Sequence, residues 1–325
     1  MTGAVSAVEA PATKEGTLWQ RLSPDERSFV WKQRIVECCS SLVFSTCMPH
    51  WNSSYLELVG GDTALMARHY GASASVISIF EMFTSPFMAS LSDTVGRKYL
   101  AALGRVGWIL FFGGYRIRDR SLPFRLWSEV ICWGVIQAGV WSIFSAQHSD
   151  IFGERAALSA EIKAADAVWQ SVAKFVGPWV SWGCTVTVGS YFSEYLVSIF
   201  TAISMGVLLT LPETLMDDRP VGNQSWVIRK GRKPAHRKEF SVATSNPFAN
   251  IMLLFRNGPG LRSLSITTAI QCSINEIWST QGTYRLGVLK WTPQQQSFFM
   301  SFYDLVGTFT QVGFVQPMLR RLGTR

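Results

Sequence analysis

The chain is built around repeated apolar blocks of about 20 residues, each long enough to cross a hydrocarbon layer of about 30 Å as a helix. They fall at 35–58, 71–92, 99–115, 124–147, 167–188, 190–211, 261–283 and 296–318. One long apolar run can be the core helix of a soluble protein. About eight of them, with few charges inside, predict an all-α membrane protein that passes repeatedly through a bilayer. Charged residues make up 16% of the sequence, below the roughly 25% typical of soluble domains.

The charge pattern predicts orientation. Lys and Arg number 30 against 22 Asp and Glu, a formal net charge of +8. A basic balance can signal nucleic-acid binding, but here the cations flank apolar blocks, which fits the excess of positive charge on the cytosolic side of membrane proteins. With the N-terminus cytosolic, most of the 30 fall on the cytosolic side, Arg105 and Lys174 being counted with the loops nearest them. Arg116, Arg118, Arg120 and Arg125, around the loop between the third and fourth blocks, go against the rule. Residues 1–32 read as a polar cytosolic tail with no apolar signal region. The six cysteines form no C-x-x-C pair and no zinc spacing with the four histidines, and no phosphate loop or nucleophile constellation appears. No metal, no cofactor, no nucleic-acid partner and no enzymatic activity are therefore expected.

Directly after the second block stands Ser92-Asp93-Thr94-Val95-Gly96-Arg97-Lys98. Gly96 permits a tight reversal between antiparallel helices, Arg97 and Lys98 suit the inner membrane face, and Asp93, at a helix C-terminus, needs a cationic or helix-N-terminal partner. Three further features agree in position: Asp150 and Arg155 after the fourth block, Gly177-Pro178 in the fifth, and Leu211-Pro212-Glu213-Thr214 closing the sixth. Together they resemble the major facilitator superfamily, whose loop between helices two and three reads D-x-x-G-R-K/R. Ala89 and Thr94 stand where that family often has Gly and Arg. A partial echo, Arg320-Arg321-Leu322-Gly323-Thr324-Arg325, follows the eighth block and sets Gly323 against Gly96 and Arg325 against Lys98.

The resemblance implies an MFS-like helical bundle of twelve helices, of which this chain supplies about eight. It divides the chain into a six-helix half at 33–212, a basic cytosolic linker at 213–260 and two helices opening the second half at 261–325, as in a truncated transporter. The implied activity is secondary active transport of a small solute by alternating access, coupled to protons. The alternative is a non-transporting relative acting as receptor or scaffold, or a non-functional fragment. Asp93, Gly96, Arg97, Lys98, Asp150, Arg155, Glu213, Gly323 and Arg325 would form a cytosolic gate, with Asp93 paired across to the other half. Charged and amide residues inside membrane helices are costly and hence functional candidates, which makes Glu81, Gln137, Gln271, Asn275, Glu276 and Asp304 the expected contacts for solute or proton.

Overall fold

The computed structural model describes residues 17–114, 121–153, 155–189, 191–214, 252, 258–315 and 317–318. Among them every regular element is a helix. In chain order these are α1 (Pro24–Leu58), α2 (Thr63–Val95), α3 (Arg97–Gly114), α4 (Leu122–Glu129), α5 (Val140–Phe152), α6 (Ala156–Thr187), α7 (Tyr191–Leu209), α8 (Pro259–Gly287) and α9 (Pro293–Thr310). Each of the eight apolar blocks falls on a helical segment. Residues 215–251 and 253–257, most of the expected basic linker, lie outside the described residues, as do Gly323 and Arg325.

The helix starts follow from local chemistry. Ser23 caps α1: the Glu26 N–H donates to Ser23 Oγ at 3.3 Å and the Ser23 N–H donates to the Glu26 carboxylate at 2.9 Å, with Pro24 at the first helical position. This reciprocal cap starts α1 some ten residues before the apolar block, so the polar-tail reading of 1–32 is corrected from Pro24 onward. Phe29 and Val30 on this extension are buried. α1 continues through Pro49. Asp62 caps α2 by accepting from the Ala64 and Leu65 N–H groups at 2.9 and 3.0 Å.

The fourth block is not one continuous helix. α4 runs into a π-helical turn, Val130–Ile136, and the chain breaks at Gly139, whose φ of 78° is left-handed, before α5 begins. The wider π-turn and the left-handed residue displace the helix axis in mid-span.

Three apolar clusters hold the bundle. The largest gathers Leu22, Phe29, Leu100, Ile143, Phe152 and Ile162 near the end that carries Arg97. A second, rich in aromatics, joins α1, α3, the π-turn and α7, with Trp51 on Phe111 at 4.7 Å and Trp108 stacked on Trp133 at 6.0 Å. A third, Tyr55, Met66 and Leu286, ties α8 to α1 and α2 at the opposite end. α1 packs against α6 and α7, and α9 lies along α6.

The exposure pattern is inverted relative to a soluble protein. Phe309 and Phe314 are 68% and 70% exposed, while Arg105 and Asp166 are 0% and 5% exposed. By length and composition two described segments, Thr63–Val95 and Pro123–Phe152, are apolar enough to cross a membrane. In α1, α3 and α6 the apolar average is lowered by charges such as Arg34, Arg105 and Asp166, which are buried in the bundle.

Close approach of α1 and α6 depends on Gly177. A Cβ there would lie 1.9 Å from Ser45 Oγ and 3.1 Å from the Thr46 backbone nitrogen. The Thr46 hydroxyl donates to the Gly177 carbonyl at 3.3 Å. Gly177→Val is expected to force the helices apart and lower stability by about 1–3 kcal/mol, the usual cost of overpacking. Thermal unfolding in detergent measures this, and an unchanged midpoint would contradict the contact.

Candidate functional site

The turn between α2 and α3 gathers the charges of one end of the bundle. Gly96, with φ of 125°, reverses the chain, and Arg97 opens α3. The Arg97 guanidinium donates to Asp93 at 3.1 Å. It also lies 2.9 Å from Asp150 at the end of α5, a charge contact rather than an aligned hydrogen bond. Glu213, just beyond α7, accepts from the backbone N–H of Arg97 at 2.9 Å and of Lys98 at 3.0 Å. These are orphan donors of a helix start, where the partial positive charge of the helix favours a carboxylate. A Cβ on Gly96 would come within 2.7 Å of Glu213 Oε2. The glycine is thus required both by backbone angle and by the carboxylate lying against it.

A second set of ion pairs stands beside this one. Arg155, at the start of α6, pairs with Glu26, and Arg21 pairs with Glu161. Asp93 pairs with Arg97 one turn along, and Arg155 with Glu26 of α1. The reason is the early start of α1, which brings Glu26 to the mouth of α6.

Deeper in the bundle lie charges that the sequence reading did not single out. Arg34 on α1 donates to Asp166 on α6 at 2.7 Å, both buried, with the guanidinium 5.1–5.9 Å from the ring centres of Trp19, Trp31 and Trp169. The Glu37 carboxylate accepts from Gln170 at 2.7 Å and from Gln33 at 3.3 Å. Arg105 on α3, which the charge count placed with a loop, is buried in the bundle with its guanidinium 5.3 and 5.2 Å from the Trp108 and Phe144 rings. Lys174, likewise counted with a loop, stands in the middle of α6. The available signal was an ionisable residue inside a long helix, which marks a candidate by itself.

The expected solute contacts separate. Glu81 is half-buried on α2. Gln137 is buried where the π-turn ends, its amide packed toward Gly104 of α3. Asp304 is half-buried on α9. Gln271, Asn275 and Glu276 fall on a stretch of α8 whose side chains are outside the described residues.

The opposite end of the bundle explains one of the arginines that defied the charge rule. Arg125 on α4 is buried, donates to Glu129 one turn along at 3.2 Å and sits 4.0 Å from the Tyr55 ring centre. Ser73 of α2 donates to the same Glu129. At this end a cavity of about 760 Å³ opens between α2 and α8, lined by Thr63, Tyr70, Ser75, Ser78, Thr283 and Tyr284 among others. Its lining is uncharged and hydroxyl-bearing.

No protein-family model and no curated protein matches this sequence. Among solved structures, the human organic anion transporter MFSD10 (TETRAN) superposes with a TM-score of 0.62 at 16% identity, over 90% of this chain and 72% of that one. The chain has the major facilitator fold. α4, the π-turn and α5 together occupy the fourth apolar block, and α6 the fifth.

Removing the Glu213 carboxylate leaves the start of α3 uncapped. Glu213→Ala is expected to cost about 1 kcal/mol, as for other lost helix caps, and Glu213→Gln, which keeps one acceptor, distinctly less. Equal unfolding midpoints for wild type and Glu213→Ala would remove the cap from the account.

Proposed function

We propose that this protein is a multi-pass membrane transporter that moves a small organic anion by alternating access, coupled to protons, with its N-terminus and the Arg97 end facing the cytosol. The observation that carries this reading is the inverted bundle: an apolar exterior around buried internal charges, in a fold of the major facilitator type. Soluble helical proteins have no reason to bury Arg34, Arg105 and Asp166 while exposing Phe309 and Phe314. The organic anion is suggested by the solute named for MFSD10.

In this reading Asp93, Arg97, Lys98, Asp150 and Glu213 form a lock at the cytosolic end of the first half. Arg97 bridges two carboxylates from two helices, and Glu213 ties the end of α7 to the start of α3. The six-helix half then moves as one unit when the two halves rock against each other. Glu81 and Asp304 are the carboxylates assigned to proton coupling. The lipid bilayer is the surrounding solvent for the exposed faces of α2, α3 and α9.

Reconstituting the chain into proteoliposomes with an imposed pH gradient and radiolabelled benzoate tests the reading. Gradient-driven accumulation is expected for wild type. Asp93→Asn and Arg97→Ala should abolish it without loss of protein from the membrane, and Glu81→Gln should leave uptake that ignores the gradient. Full uptake by both Asp93→Asn and Arg97→Ala would remove the lock from the mechanism. Absence of accumulation by the folded wild-type protein, with benzoate and with a panel of other organic anions, would favour the non-transporting reading.

A further inference from the structure

Among the described residues the buried arginines have polar partners, with one exception. Asp166 accepts from Arg34, Asp93 from Arg97, Glu129 from Arg125 and Gln281 from Arg285. Arg105 on α3 is fully buried, yet among the same residues its Nε, Nη1 and Nη2 have no hydrogen-bond partner and no carboxylate forms an ion pair with it. The Trp108 and Phe144 rings lie 5.3 and 5.2 Å from the guanidinium. Such rings attract a cation, but they carry no net charge. They offset only part of the cost of taking the guanidinium out of water.

Two more buried polar groups stand along the same seam. Val140, Phe144 and Gln147 follow one another on one face of α5, at spacings of four and three, and all are buried. Gln137, also buried, precedes the break at Gly139. This face meets α3 at Gly104, where a Cβ would strike Val140 and lie 3.2 Å from Gln137 Oε1. Among the described residues neither Nε2 nor Oε1 of Gln137 or of Gln147 has a hydrogen-bond partner. Buried polar side chains are in large majority hydrogen-bonded. A guanidinium and two amides without partners, all on the contact between α3 and α5, point to a partner that the chain does not supply.

We infer that the α3–α5 seam binds a small monovalent anion, held by the guanidinium of Arg105 with the amides of Gln137 and Gln147 as further donors. A water molecule satisfies donors but leaves the charge unbalanced, whereas an anion answers both. Arg105 and Gln147 are sealed from solvent, and Gly104 holds α3 close against α5, so the seam suits an ion of chloride's size. The acid group of an organic solute offers the same charge on a larger body. Arg105 lies about 12 Å along α3 from Arg97, counting 1.5 Å per residue. The bound anion therefore braces the two helices that Arg97 and Asp150 join at their ends. This site does not depend on what the protein transports.

The test uses the full chain in detergent at constant ionic strength, with gluconate as the bulky counter-ion. The unfolding midpoint is expected to rise with chloride along a saturating curve, because a ligand of the native state stabilises that state. Arg105→Met should weaken the chloride dependence at least tenfold, Arg105→Lys less, and Gln147→Leu several-fold. Anomalous scattering from wild-type crystals grown in bromide should place an ion against the Arg105 guanidinium, which decides the matter should Arg105→Met fail to fold. A rise with benzoate and not with chloride, lost in Arg105→Met, keeps the anion site and gives it to an organic acid. A midpoint indifferent to both anions, a chloride dependence unchanged in Arg105→Met, or bromide found only elsewhere overturns the inference. Gradient-driven uptake is read separately, so the transport reading stands or falls on its own.

Discussion

The guanidinium of Arg97 is the point on which one end of this molecule depends. It lies between carboxylates from the end of α2 and the end of α5, while its own backbone N–H is held by Glu213 from the end of α7. Four segments are fixed by one residue and its peptide. In a soluble protein such exposed pairs contribute little, because water competes for each partner. Here the guanidinium is largely buried, and removing one partner leaves a charge with few alternatives. Gly96 makes the arrangement possible, since a side chain there would strike the carboxylate that caps α3.

The same constraint, that a charge away from water must find its complement within the protein, organises the interior. α6 is the spine of this arrangement. It offers Asp166 to Arg34 and Gln170 to Glu37 on α1, and farther along it meets α9, where Ser301 donates to the Phe175 carbonyl. Gly177 and Ser45 allow α1 to come near enough for the first two of these contacts. The break at Gly139 and the π-turn before it fall beside this region, where Gln137 and Phe144 approach α3. Tight, glycine-dependent packing and internal charge pairing are two aspects of one design: helices must touch closely for short polar side chains to reach each other.

Much of the architecture was legible in the sequence. The apolar blocks found the helical segments, and of the charged residues singled out beside them Asp93, Arg97, Asp150 and Glu213 meet at the turn between α2 and α3. The Ser23-Pro24-Asp25-Glu26 cap was equally readable, yet the apolar criterion passed over it, because the first turns of α1 are polar and are covered by α6 rather than by an apolar environment. The same criterion hid the internal charges. Arg34 falls one residue before the first apolar block and Asp166 one residue before the fifth, while Arg105 and Lys174 had been assigned to neighbouring loops. Pairing partners come from helices distant in sequence, so Arg34 gives no sign of Asp166 until the helices are packed. The split of the fourth helix was hidden for another reason: Gly139 in an apolar run is an ordinary packing residue until its backbone angle is known.

Alternating access, the activity proposed above, requires the parts of the bundle that carry α6 and α9 to rock about the seam between them. The most direct measurement is of distances between spin labels at both ends of the bundle, in protein reconstituted after replacement of its native cysteines. One pair replaces the exposed residues Tyr99 and Phe314, and the other replaces Leu65 and Val288. The account predicts that adding an organic anion under a pH gradient shifts the two distances in opposite senses, one end closing as the other opens. Distances that stay fixed at both ends, or that change together, would contradict it.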